Sequence, residues 1–212
     1  MPIGRYVHSN GLEGLLEELP DGPVGIVEVM ESVILQGPGQ CDAIAAAHAH
    51  RAFTASAIEQ LHFIDSCLLS TKLTTSSRVA SISCGRQLAK IAARVWPHEF
   101  LEVFCGDILS KEDVGTLAVM SAAVCASRGI DIEKAVLSEL RGAVSGLMSA
   151  AVRLGRIGPT DAQLYINKLI PTIIRAKDMA LSCELEDVST TTFELDIAMM
   201  QLQRNPLRLF AT

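Results

Sequence analysis

The side chains best equipped for chemistry are five histidines, His8, His48, His50, His62 and His98, and six cysteines, Cys41, Cys67, Cys84, Cys105, Cys125 and Cys183. Imidazole and thiolate ligate transition metals, and imidazole is the commonest general base. Their spacing argues against both uses. His48 and His50 stand two apart in a helical stretch, which puts them on nearly opposite faces. A metalloprotease pair needs i, i+4 on one face. No two cysteines form a C-x-x-C pair, so a zinc knuckle and a thioredoxin-type couple are both absent. Each cysteine lies in or beside an apolar stretch, where a free thiol behaves as a small hydrophobe. Carboxylates cluster at Glu13, Glu17 and Glu18 and again at Glu184, Glu186 and Asp187. The first group reads as the solvated face of an amphipathic helix and the second as a loop. Gly-x-x-x-x-Gly-Lys-Ser/Thr, Gly-x-Gly-x-x-Gly and Gly-x-Ser-x-Gly are missing, so no phosphate-cradling loop, dinucleotide fingerprint or nucleophile elbow is encoded. The residues favour a protein that is not an enzyme.

The elements that would position these groups are helical. Ala and Leu are abundant and alternating β-branched runs are scarce. The pattern predicts helices over 11–19, 24–35, 40–51, 53–70, 74–95, 111–128, 132–154, 160–183 and 193–203. Ser110 with Asp113, Thr160 with Gln163, and Thr191 with Glu194 each resemble a capping box at a helix start. Trp96-Pro97, Gly129 and the stretch from Gly155 to Pro159 supply stops. Pro171 falls inside a helical pattern and predicts a kink. Gly142, Gly146 and Ala150 align small side chains along one face, and the run from Gly115 to Ala126 is similarly fine-grained. Such faces let helix axes approach closely, inside a bundle or across a dimer.

With 212 residues, the expected organisation is one all-α domain over 1–212, a helical bundle with small-residue helix packing. Hydrophobic residues make up 49%, too many for a disordered chain. A net charge of −6 and an aromatic share of 4% argue against nucleic acid, which needs a basic footprint and stacking platforms. The longest apolar run, Leu117 to Ala126, is too short to cross a membrane. The N-terminus shows no apolar signal region, so a reducing cytoplasm is expected.

Both ends carry residues that plain core packing does not explain. Tyr6, His8 and Ser9 sit just ahead of the first helix, where Ser9 or Asn10 is placed to cap it. The tail holds Arg208 with the apolar Leu207, Leu209 and Phe210, a composition suited to docking on its own domain or on another subunit.

Four stretches in order resemble the UreF family of urease accessory proteins. They are Pro2 to Glu13, similar to P-x-G-x-x-x-x-S-x-G-L-E; Arg78-Val-Ala-Ser81 leading to Gly85; Ala150-Ala-Val-Arg-Leu154 leading through Gly158 to Gln163; and the tail Arg208-Leu209-Phe210. Arg5 departs from the small residue usual after the motif's glycine, and Ser76 and Ser77 stand where a Glu is common. The resemblance implies an all-helical, dimerising, cytoplasmic chaperone without enzymatic activity. It implies a scaffold in nickel insertion that links a UreD/UreH-like protein, a UreG-like GTPase and apo-urease. No cofactor would be bound stably: nickel is handled by the complex and GTP by the partner GTPase. Tyr6, His8, Ser9, Glu13, Arg78, Gly85, Gln163, Arg208, Leu209 and Phe210 become candidates for interfaces. The residues leave two other readings open. One is a helical small-molecule-binding domain or enzyme with a buried pocket, motivated by Tyr6, His8 and Tyr165. The other is a nickel carrier in its own right, motivated by His8, His48, His50 and Cys84.

Overall fold

The computed structural model describes residues 3–5, 11–18 and 25–202, with the side chains at 16–18 and 202 outside that description. The described residues form eleven α-helices and no strand. They are α1 (Leu12–Glu18), α2 (Ile26–Gln36), α3 (Asp42–Thr54), α4 (Ile58–Thr71), α5 (Thr75–Val95), α6 (Glu99–Ser110), α7 (Leu117–Ser127), α8 (Ile132–Arg153), α9 (Pro159–Lys168), α10 (Ile170–Ser182) and α11 (Phe193–Leu202). The all-α fold expected from composition is the fold observed.

Two apolar clusters share one wall. The first gathers Leu12, Met30, Ile34, Leu140, Ile166 and Ile173 from α1, α2, α8, α9 and α10. The second gathers Leu61, Ile64, Leu88, Phe104, Ile108 and Met120 from α4 to α7. Helix α3 serves both. Ala43, Ile44 and Ala47 face the first cluster, while Ala45, Ala46, Ala49 and Phe53 face the second. A helix buried on both sides must carry small side chains, and α3 meets α7, itself lined by Ala118, Ala122 and Ala123, in the most extensive helix contact among the described residues. This is the small-residue packing of the bundle.

Several local expectations change. The segment 99–110 forms α6, which the sequence pattern missed. Its Val103, Phe104 and Gly106 are weak helix formers, and its N-cap is His98, whose Nδ1 accepts from the Leu101 N–H at 3.3 Å. Burial of Leu101, Phe104, Cys105 and Ile108 at helical spacing outweighs that weakness. Ser110 therefore ends a helix instead of capping one, and its hydroxyl donates to the Asp107 carbonyl. The next helix begins at Leu117, because Lys111 turns left-handed (φ 70°) and residues 112–116 run as a connection. The 160–183 pattern divides at Leu169. Pro171 has no N–H to continue the ladder and stands in the first turn of α10. Gly158 is the N-cap of α9 and Pro159 opens it, so Thr160 is already helical and makes no capping box with Gln163. Helix α11 starts at Phe193, which leaves Thr191 outside the capping position. Glu184, Glu186 and Asp187 belong to a 3-10 turn, Leu185–Asp187, closed by reciprocal Glu184 and Asp187 caps.

The stops hold. Helix α5 ends before Trp96. Gly129 and Gly155 close α7 and α8 with paired backbone bonds: Ile130 N to Cys125 O and Gly129 N to Ala126 O, then Arg156 N to Ala151 O and Gly155 N to Val152 O. Among the described residues, α8 alone is long and apolar enough to cross a bilayer, and 56% of its apolar window is buried inside the bundle.

Candidate functional site

Helices α1 and α11 pack backbone to backbone. A Cβ on Gly11 would stand 2.5 Å from the Leu195 carbonyl oxygen, and one on Gly14 would touch Ala198 at 3.0 Å. Gly11 is also left-handed, with φ 85°. The Gly-Leu-Glu of the N-terminal motif is thus the contact that brings α1 against the helix preceding the tail. Glu13 follows in the first turn of α1 and is buried, because α1 is held between α8 and α11. It is not part of a solvated face, contrary to the sequence expectation.

Next to this junction lies a cavity of about 170 Å³. Arg5 enters it from the N-terminal segment. Its guanidinium pairs with Glu139 of α8, at 2.6 Å to Oε1 and 3.1 Å to Oε2, and also donates to the Glu139 carbonyl at 3.0 Å. Across the cavity Lys72 donates to both oxygens of Asp42, at 3.0 and 3.1 Å. Burial acts to raise the Asp42 carboxyl, but the Lys72 ammonium and the Cys41 thiol override it and hold the group below its ordinary value. The same pairing holds Lys72 above its ordinary value against the effect of burial. Asp196 of α11 also lines the space, and burial pushes it up while Lys72 draws it down.

The glycine stripe on α8 acquires a different use here. A Cβ on Gly142 would stand 2.6 Å from Arg5 Nη1, whereas one on Gly146 would meet nothing within 4 Å and project into the cavity wall. At these two positions small residues seat a guanidinium and leave space; they do not seat a helix. Gly142→Ala should push Arg5 off Glu139. Because the displaced group is the end of a flexible side chain, the expected loss is small, about 1 kcal/mol by urea denaturation.

The charged pairs and thiols that line the cavity hold one another in place. Asp42 and Glu139 are each neutralised by a cation, and neither is poised as a general acid. Cys41 donates its S–H to the Gly37 carbonyl and to Asp42, and burial pushes its thiol far up. Burial also raises Cys84. Protonated thiols are poor nucleophiles and poor metal ligands. Tyr165, which motivated a pocket reading, is buried in α9 away from this space, with Lys168 Nζ 5.7 Å from its ring centre.

His48, His50 and His98 are committed elsewhere. His48 Nε2 meets the Cys183 carbonyl at 3.1 Å and His50 Nε2 the Ile130 carbonyl at 2.8 Å, on opposite sides of α3. His98 caps α6 and packs on Phe53. Among the described residues no group of three or more His, Cys, Asp or Glu is arranged to hold a metal ion.

The remaining candidates scatter. Arg78 is exposed and its Nε donates to the Lys72 carbonyl at 2.7 Å, at the end of α4. Gln163 is exposed on α9 beside Leu164. Gly85 is buried, and a Cβ there would stand 2.1 Å from the Gly115 carbonyl oxygen, so it seats α5 on the connection before α7 within this chain. Tyr6, His8, Ser9, Arg208, Leu209 and Phe210 lie outside the described residues.

Sequence reasoning missed the outer face of α11. Leu195, Ala198 and Met199 are buried, yet Phe193, Ile197 and Met200, at i, i+4 and i+7, are 57%, 54% and 46% exposed. Large apolar side chains in a row on the outer face of a helix form a patch that marks an interaction surface. The signal was present in Phe-Glu-Leu-Asp-Ile-Ala-Met-Met, but only the packed inner face shows which apolar residues are left over.

The family model for UreF matches residues 23–170. The chain is 30% identical over 212 residues to a urease accessory protein UreF of Trichodesmium erythraeum, an alignment covering 99% of this chain and 91% of that protein. It is 27% identical to a UreF of Rhodopseudomonas palustris strain TIE-1, covering 99% and 86%, and 26% identical to one of Yersinia enterocolitica, covering 100% and 92%. The four ordered motifs, the all-helical fold and these full-length matches agree: the chain belongs to the UreF family.

Proposed function

We propose that this chain is a urease accessory protein acting as a non-catalytic scaffold in the cytoplasm. It links a UreD/UreH-like protein, a UreG-like GTPase and apo-urease, and it works as a homodimer. Nickel passes within the complex and GTP is bound by the GTPase, so the chain itself keeps no cofactor. One observation carries the reading: the apolar outer face of α11, uncovered in the isolated chain and directly followed by a tail rich in Leu, Arg and Phe. An interface needs an apolar centre with a polar rim, and this face supplies the first. The family name of the relatives points to urease as the client.

Co-expression tests it. The tagged chain, expressed with UreD-like and UreG-like proteins of the same source in the presence of GTP and magnesium, should purify as a multi-protein complex. Isolation of the chain alone would sink the scaffold. Arg208→Ala should reduce capture of the UreD-like protein at least several-fold while the melting temperature stays within a degree or so. A large melting loss with intact capture would assign Arg208 to the fold instead.

A further inference from the structure

A buried pair of carboxyl groups sits where α6 hands over to α7. Asp65 of α4 is fully buried. Its Oδ2 accepts from the Gly115 N–H at 2.6 Å, and its Oδ1 accepts from the Thr116 N–H at 2.9 Å and from the Thr116 hydroxyl. Gly115 and Thr116 immediately precede α7, so Asp65 lies against the positive end of that helix dipole. Burial pushes the Asp65 carboxyl up, and the three donors act against it in favour of the ionised form. Asp113 adjoins it. Asp113 Oδ1 accepts from the Val114 N–H at 2.7 Å. Its side chain is only 2% exposed, and its Oδ2 is buried with no donor directed at it.

The groups around Asp113 do not supply that donor. His62 of α4 has its Nε2 3.9 Å from Asp113 Oδ2 but 3.1 Å from Asp107 Oδ2 of α6, with which it pairs. Arg86 of α5 is turned to the Val114 carbonyl, donating from Nε at 3.2 Å. Lys111 and Glu112, in the connection itself, are exposed. A buried carboxylate oxygen without a donor costs free energy, and a second negative charge beside Asp65 costs more.

We propose that Asp113 carries a proton that it donates to Asp65, and that release of this proton as pH rises loosens the 111–116 connection from Asp65 and α5. The arrangement is a pH-sensitive latch on the junction that positions α7. Burial first, and then the Asp65 charge, push the Asp113 carboxyl up to about 6, against an ordinary 3.8. The folded form thus binds a proton that the unfolded chain has already lost between about pH 4 and 6. Stability therefore falls as pH rises through that window and stays lower above it. A carboxyl raised from 3.8 to about 6 corresponds to a folding equilibrium constant changed by up to about a hundred-fold.

The test compares the full chain with Asp113→Asn, whose amide N–H can donate to Asp65 at every pH. In thermal melts from about pH 4 to pH 8 the melting temperature of Asp113→Asn should gain on that of the unsubstituted chain between about pH 4 and 6, then level off. Protection of the Gly115 and Thr116 amides against hydrogen exchange, corrected for the intrinsic rate, should fall with pH in the unsubstituted chain and hold in the variant. A gap independent of pH, or protection that does not change, overturns the latch. Should Asp113→Asn fail to fold, carboxyl carbon NMR of the aspartate-labelled unsubstituted chain decides: one carboxyl titrating near 6 supports the shared proton, and all aspartates titrating at ordinary values overturn it.

Discussion

Gly85→Ala is expected to abolish the native packing of this protein, with a loss of at least about 3 kcal/mol and failure to recover soluble chain at 37 °C as the extreme result. The added carbon would stand 2.1 Å from the Gly115 carbonyl oxygen and 2.7 Å from the Thr116 carbonyl carbon, both backbone atoms. No rotamer change relieves such a clash; α5 must move away from the connection. That movement strains the hydrogen bonds from Gly115 and Thr116 to Asp65, which fix the start of α7. Helix α7 in turn fills the second apolar cluster against α3. The contrast with Gly142→Ala is informative, because both glycines are crowded but only Gly85 faces backbone. Urea denaturation of the two variants side by side checks the distinction. Equal, small losses would show that the connection yields easily.

Asp42→Ala should cost about 3–5 kcal/mol near neutral pH, because it leaves the Lys72 ammonium largely buried without its carboxylate. The pair is only 13% and 19% exposed, and Cys41 cannot replace Asp42, since burial keeps its thiol protonated. Replacing both partners together, as Asp42→Leu with Lys72→Met, should recover most of the loss, since two apolar groups need no mutual neutralisation. The pH dependence has a fixed sign. Asp42 is held below its ordinary value when folded, so its contribution is complete above about pH 4 and is lost as pH falls through the lower folded value. The acid limb of a stability profile should therefore be shallower in Asp42→Ala than in the unsubstituted chain. Identical acid limbs would mean that the ion pair is solvated well enough to contribute nothing.

The Asp42–Lys72 pair and the latch both start from α4. Lys72 ends α4, Asp65 lies on α4 two turns earlier, and both reach across to segments distant in sequence. Helix α4 acts as a strut whose charged residues hold α3 on one side and the α6–α7 connection on the other. The cavity lies beyond Lys72, between this strut and α8, with the α1–α11 pair beside it. The placement of α11 depends on this frame, because its buried side chains are Leu195, Ala198 and Met199.

Much of the architecture was legible from residue order. Stops at Trp96, Gly129 and Gly155 follow from local backbone chemistry, which neighbours in sequence decide. Starts were less legible. Ser110, Thr160 and Thr191 all carry the side chain a cap needs, but at each the helix boundary was set elsewhere. At Ser110 it was set by burial of the preceding apolar face, and at Thr160 by Pro159. Helix α6 was hidden because its propensity is poor and its stabilisation is tertiary. Of the interface candidates, the sequence singled out Gly85 and Arg78 by type and order, and the structure places one inside the fold and the other on its surface.

By itself the sequence determined the helical class, most helix stops, the absence of familiar enzyme motifs and membership in the UreF family, because periodicity, backbone chemistry and ordered motifs are all local or linear properties. Only the tertiary structure decided that Arg5 answers Glu139, that Lys72 answers Asp42, that Glu13 is buried, that Gly142 seats the Arg5 guanidinium and that two aspartates share one burial site. Each of these joins residues tens of positions apart, and electrostatic and steric contact depends on distance in space, which no spacing along the chain encodes.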